Sequence, residues 1–201
     1  MFSGNKLIVH ALVFATSVAL TGVPLLTIPR IGLEYSLYLL FSLEFALGLG
    51  VGVLIYKGNL KITKIRLLLN CLVIIMLLQL FSYILKTHSI GSASLSIQNL
   101  IPYFFTILII PFYEEIFYRG CLFDFLRGLY TRDLIFPSVM SSVVFCVMHT
   151  QYTELFDYVI IFAISMVLTF SRIKSDGLST PILLHSSMNA FVIILNIQSM
   201  F

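Results

Sequence analysis

A chain of 201 residues with 59% hydrophobic and 10% charged side chains has too little charge to cover a water-facing surface, since soluble domains carry about a quarter charged residues. The net charge of +3 is small, and the basic residues sit between apolar runs without forming a stripe, which argues against a nucleic-acid surface. Lipid is the expected solvent.

A spanning helix needs roughly 20 mostly apolar residues. In chain order the segments that meet or approach this run from Leu7 to Ile28, Tyr35 to Ile55, Leu67 to Leu85, and from Leu100 through a polar cluster around Glu114. They continue from Ile135 to His149, Leu155 to Phe170 and Leu178 to Ile197. The first is too long for the apolar core of a signal peptide, and no small-residue cleavage site follows it, so it is expected to remain as a span. The fifth and sixth are short. The stretch from Thr87 to Asn99, with His88, is Ser-rich and reads as a loop. No repeat or second domain is visible. The expectation is one all-α, polytopic transmembrane bundle of about seven spans, within a range of six to eight. Residues 1–99 supply three helices and the polar loop, and residues 100–201 supply a C-terminal core.

Cys71, Cys121 and Cys146 lie in or beside apolar segments without C-x-x-C spacing, and read as small buried hydrophobes. The C-terminal Gln-Ser-Met-Phe offers no cysteine for prenylation. With the N-terminus in the cytoplasm, Lys6, Lys57, Lys61, Lys64, Arg66, Arg119, Arg127, Arg132, Arg172 and Lys174 fall inside, leaving only Arg30 and Lys86 outside. That bias predicts an N-in protein of the plasma membrane.

Charged groups at bilayer depth cost at least ~2.5–3.5 kcal/mol each on insertion scales. The densest cluster is Glu114-Glu115-Ile116-Phe117-Tyr118-Arg119. On a helix Glu115 and Arg119 are an i, i+4 pair that neutralises itself. Glu114 is rotated by about 100° and shares its face with Tyr118 instead. A carboxylate without a partner in a low-dielectric site suits a general base or acid. Glu44, followed by Gly48, Gly50 and Gly52, reads as a protonated acid within close helix packing. His149 ends an apolar helix, and His185 and Asn189 share one face of the last span.

Taken singly, each of these polar groups has a bland reading as glue between helices. Taken together, one shared site explains acid, imidazole and amide on neighbouring helices with a single assumption. His149 lies about 14 residues, or roughly 21 Å, from the start of its helix. Glu114 reaches that depth only if the fourth helix runs unbroken from about residue 100 to about 127.

Glu114-Glu115 with Arg119, then Phe145 with His149, then His185 with Asn189, on successive membrane helices, resembles the CPBP family. These are the CAAX-processing and bacteriocin-processing membrane proteases, also called the Abi family. The resemblance covers roughly residues 100–195, which it makes the catalytic core. It implies an intramembrane endopeptidase acting on a membrane-associated peptide or protein in the bilayer. Glu114 and His149 would activate a water, His185 and Asn189 would form the oxyanion hole, and Glu115 with Arg119 would hold the helix. The metalloprotease label of the family raises a zinc alternative, with Glu114, His149 and His185 as ligands. Likeness to the type II CAAX prenyl endopeptidases favours a metal-free, glutamate-activated water, so no cofactor is expected. The rival readings are a non-catalytic bacteriocin-immunity or scaffolding protein and a proton-coupled transporter. The last predicts two matching halves with interrupted helices, which the sequence lacks. Chemistry at this depth needs a water-filled cavity, expected to open to the cytoplasm.

Overall fold

The structure, a computed structural model, describes residues 4–60, 64–86 and 97–198. Every regular element among them is helical: α1 (Gly4–Leu20), α2 (Val23–Leu54), a short 3₁₀ turn (Lys57–Asn59), α3 (Ile65–Lys86), α4 (97–129), α5 (Ile135–Met148), α6 (Leu155–Ser175) and α7 (Ser179–Gln198). Among the described residues four stretches are long and apolar enough to cross a membrane: Asn5–Leu54, Ile65–Lys86, Leu100–Leu129 and Leu155–Ser175. With its apolar helices the chain is an integral membrane protein. The α5 helix, at 14 residues, is short of a full crossing, being about 21 Å long.

The first boundary differs from the sequence-based one. The first helix ends at Leu20, and the next begins at Val23 with Pro24 in its first turn. Hydropathy runs on smoothly to Ile28, but proline favours a fresh helix start and glycine the break before it. A second irregularity lies at Gly32, with φ 79° and ψ 169°, a conformation open to glycine alone. The expected loop is also trimmed: α4 begins at Ile97, while residues 87–96, His88 among them, lie outside the described residues, as does Lys61. The predicted long fourth helix is present, unbroken over 97–129.

The α2 helix packs on α4 through Gly48. A Cβ at Gly48 would stand 2.8 Å from Cβ of Tyr113, and one at Gly52 would stand 3.2 Å from Ile116, whereas Gly50 has nothing within 4 Å. Val51, Tyr113, Ile116, Phe117 and Cys121 form the buried core there. Gly48→Ala is therefore expected to destabilise by about 1–3 kcal/mol through overpacking. Gly50→Ala should be neutral or gain up to ~1 kcal/mol from helix propensity. Unfolding midpoints of the two variants in detergent check this contrast.

One end of the bundle is basic. Lys64 Nζ donates to the Lys174 carbonyl at 2.6 Å, Leu178 N–H donates to the Asn59 carbonyl at 2.9 Å, and Gly128 packs on Leu7. These contacts bring Lys6, Lys57, Arg127 and Arg132 to the same end. Two of the arginines counted in the sequence bias are not loop charges. Arg119 is 1% exposed and Arg172 6%, so neither informs the orientation. Arg172 Nε donates to the Arg119 carbonyl, and its Nη2 lies 3.7 Å from Asp124, which accepts a hydrogen bond from the Tyr56 hydroxyl. At the opposite end Lys86 Nζ pairs with Asp157 at 2.6 Å and Glu154 at 2.9 Å.

Candidate active site

The α4 helix is not uniform. Pro111 lacks the N–H that the Ile107 carbonyl would receive, and its ring crowds that turn. Residues Phe105–Ile109 widen to π geometry in response, and Ile110 N–H reaches back to the Phe105 carbonyl. The Thr106 carbonyl, which Ile110 would serve in an α-helix, instead accepts Asn189 Nδ2–H from α7 at 2.7 Å. A second π segment spans Ile116–Leu122. Such segments occur often at functional sites because they re-aim side chains within a continuous helix.

Glu115 and Glu114 divide as their angular offset predicts. Glu115 is fully buried and accepts from Arg119 Nη1 at 3.0 Å. Arg119 also donates to Ser165 Oγ at 2.7 Å and lies over the Phe145 ring at 4.2 Å. Acceptors and a ring face thus hold this guanidinium in place. Glu115 has one further partner that the sequence did not show: His185 Nδ1, at 2.8 Å from the same Oε1. A carboxylate oxygen only accepts here, so Nδ1 carries the hydrogen and Nε2 faces the other way. There it lies 3.8 Å from Glu114 Oε2, which is buried without a hydrogen-bond partner.

His149 follows α5, and its Nδ1 lies 2.7 Å from the Phe145 carbonyl. A carbonyl cannot donate, so this fixes the proton on Nδ1 and leaves Nε2 as an acceptor in the neutral ring. Phe145 accordingly serves twice: its backbone orients His149 and its ring lies against Arg119. The His149 ring stacks near Tyr152, 6.4 Å between centroids.

Glu114, His149, His185 and Asn189 all line one cavity of about 830 Å³, with Tyr118 and Glu44. Its exposed lining, including Gln151 and Tyr152, belongs to the Lys86 end, opposite the basic loops. N-in orientation and an opening to the cytoplasm therefore do not hold together. His10 lies outside this lining, stacked near Tyr56. The three cysteines are buried and free.

Residues 96–191 match the family described as type II CAAX prenyl endopeptidase Rce1-like. The matched segment contains Glu114, Glu115, Arg119, His149, His185 and Asn189 and is consistent with the CPBP resemblance of its motifs. An uncharacterised 24.3 kDa protein of Escherichia coli is 32% identical over 94 residues, 46% of this chain and 43% of that protein. The match thus spans less than half of either chain. No solved structure matches.

The zinc alternative, with Glu114, His149 and His185 as ligands, finds no assembled ligand set in this structure. Among the described residues no three His, Cys, Asp or Glu side chains are grouped to hold a metal. Glu114 Oε2 and His185 Nε2 face each other at 3.8 Å, and the Nδ1 hydrogen bonds of His149 and His185 leave their Nε2 atoms as the nitrogens a metal would use.

Three neighbours of the candidate site stand outside its sequence motifs. Ser165 sits in an apolar helix with no motif around it. The Thr106 carbonyl becomes an acceptor only through a π turn. Glu44, which the sequence suggests is a packed acid, also lines the cavity.

Proposed function

We propose that the chain is an intramembrane endopeptidase that hydrolyses a peptide bond in a membrane-associated peptide or protein, of the CAAX tail or leader-peptide kind. The observation that supports this reading is the convergence of a carboxylate oxygen without a hydrogen-bond partner, two oriented imidazoles and a carboxamide, from three helices, on one cavity. Glu114 takes the proton of the attacking water, with His149 Nε2 as the second acceptor that orients it. The new C–O bond forms as the carbonyl π electrons move to oxygen. Asn189 offers its second N–H to that oxyanion, its first being spent on Thr106, and His185 donates from Nε2 when both of its ring nitrogens carry hydrogen. The proton held by Glu114 then passes to the leaving amine as the C–N bond breaks. Glu115 and Arg119 position His185. Polar residues crowded into the C-terminal half fit a transporter built from two matching halves poorly.

The test is cleavage of membrane-anchored peptides by the purified chain in nanodiscs, read by mass spectrometry in ¹⁸O water with and without chelator. The expected result is one new carboxylate carrying ¹⁸O, unchanged by chelation. Absence of product from every anchored peptide would count against the reading, and loss of product on chelation would count against its metal-free form.

Placing the basic end in the cytoplasm puts the cavity mouth on the opposite face. A cysteine at Gln151 is then expected to react with a membrane-impermeant maleimide in intact cells. Reaction only after permeabilisation would reverse the orientation.

A further inference from the structure

Glu44 lies on α2 one turn before Gly48, and it lines the same cavity as Glu114. It is 3% exposed, and its Oε2 has no hydrogen-bond partner. The Ser17 hydroxyl, also on the cavity wall, is its hydrogen-bonding neighbour. The contact of Gly48 with Tyr113 holds α2 tightly against α4 one residue from Glu114.

A buried carboxylate is retained at a cost unless a cation or donors offset it. The cavity supplies little. Among the described lining residues Lys86 is the one Lys or Arg, and it is engaged by Asp157 and Glu154 at the far end. Arg119 is engaged by Glu115 and Ser165. The two imidazoles direct their Nδ1 atoms at Phe145 and Glu115. Once the Lys86–Asp157 and Arg119–Glu115 pairs are set aside, two carboxylates remain facing one cavity. The reaction uses Glu114. Glu44 is surplus to it.

We infer that Glu44 is the anionic wall of a subsite that receives a basic side chain, Lys or Arg, of the substrate peptide close to the bond that is cut. The inference rests on the endopeptidase reading and adds a substrate class to it. An ammonium or guanidinium entering the cavity finds an acceptor already desolvated that no Lys or Arg of the lining engages, the setting in which charge-assisted hydrogen bonds are strongest. A merely packed acid, as the sequence suggested, would impose no preference on the substrate.

The experiment uses labelled, membrane-anchored peptides in which Lys, norleucine or Glu is moved one position at a time. Dissociation constants are measured on Glu114→Gln protein, which keeps bound peptide uncut, and cleavage is measured separately on the wild type. At one position Lys is expected to bind about tenfold tighter than norleucine, as for a hydrogen bond to a charged group. That ratio should collapse when Glu44→Gln is added, survive Glu44→Asp, and invert towards Glu in Glu44→Lys. No Lys preference at any position, or one that survives Glu44→Gln, overturns the subsite. Failure of the wild type to cut any peptide refutes the endopeptidase reading instead, while the binding ratios still decide the role of Glu44.

Discussion

Glu114→Gln is expected to lower peptide cleavage by about 10²–10⁴-fold, the usual contribution of a general base, while leaving the unfolding midpoint of the protein unchanged. The physical reason is that Glu114 supports nothing else. Its Oε2 accepts no hydrogen bond, and His185 Nε2 lies 3.8 Å away. The amide is the same size as the carboxylate, so the cavity keeps its shape, but it cannot accept a proton from water. Cleavage rates and thermal unfolding measured on one preparation check both halves. A variant that cuts at the wild-type rate removes Glu114 from the chemistry. One that unfolds much earlier shows a structural role instead.

Glu115→Ala should show the opposite pattern: loss of the protein before loss of any specific step. The change leaves Arg119, at 1% exposure, without its acidic partner inside the bundle. Removing one partner of a buried pair costs about 3–5 kcal/mol, because the remaining charge stays desolvated. It also frees His185, whose Nδ1 is held by the same oxygen, so whatever folds should cleave poorly. Glu115→Gln keeps an acceptor for both groups and should fall between wild type and alanine in stability. Yield in membranes and the unfolding midpoint measure the effect, and equal stability of Glu115→Ala and wild type would contradict it.

Much of this division was readable from residue order. Adjacent glutamates on a helix point about 100° apart, so only one can meet Arg119 four residues on. The length of α4 was readable too, because Glu114 and His149 can share a depth only if that helix runs past Gly120. What sequence spacing could not show were contacts created by departures from ideal helix. Asn189 finds the Thr106 carbonyl only because Pro111 widens the preceding turn. The His185–Glu115 bond joins two helices 70 residues apart and turns an apparent packing pair into the support of a site residue. The break after Leu20 hid in a run whose hydropathy does not change, and the basic bias included two arginines that are buried in the bundle. Glu44 was visible, but its position on the cavity wall depends on how closely Gly48 lets α2 approach Tyr113.

The central claim is that side chains from separate helices act as a single chemical unit. It is tested most directly by cleavage rates of Glu114→Gln, His149→Ala and the protein carrying both. Groups that work on one water lose their effect together, so the double variant should cut within about threefold of the slower single variant. If the two losses multiply, Glu114 and His149 act independently and there is no shared site.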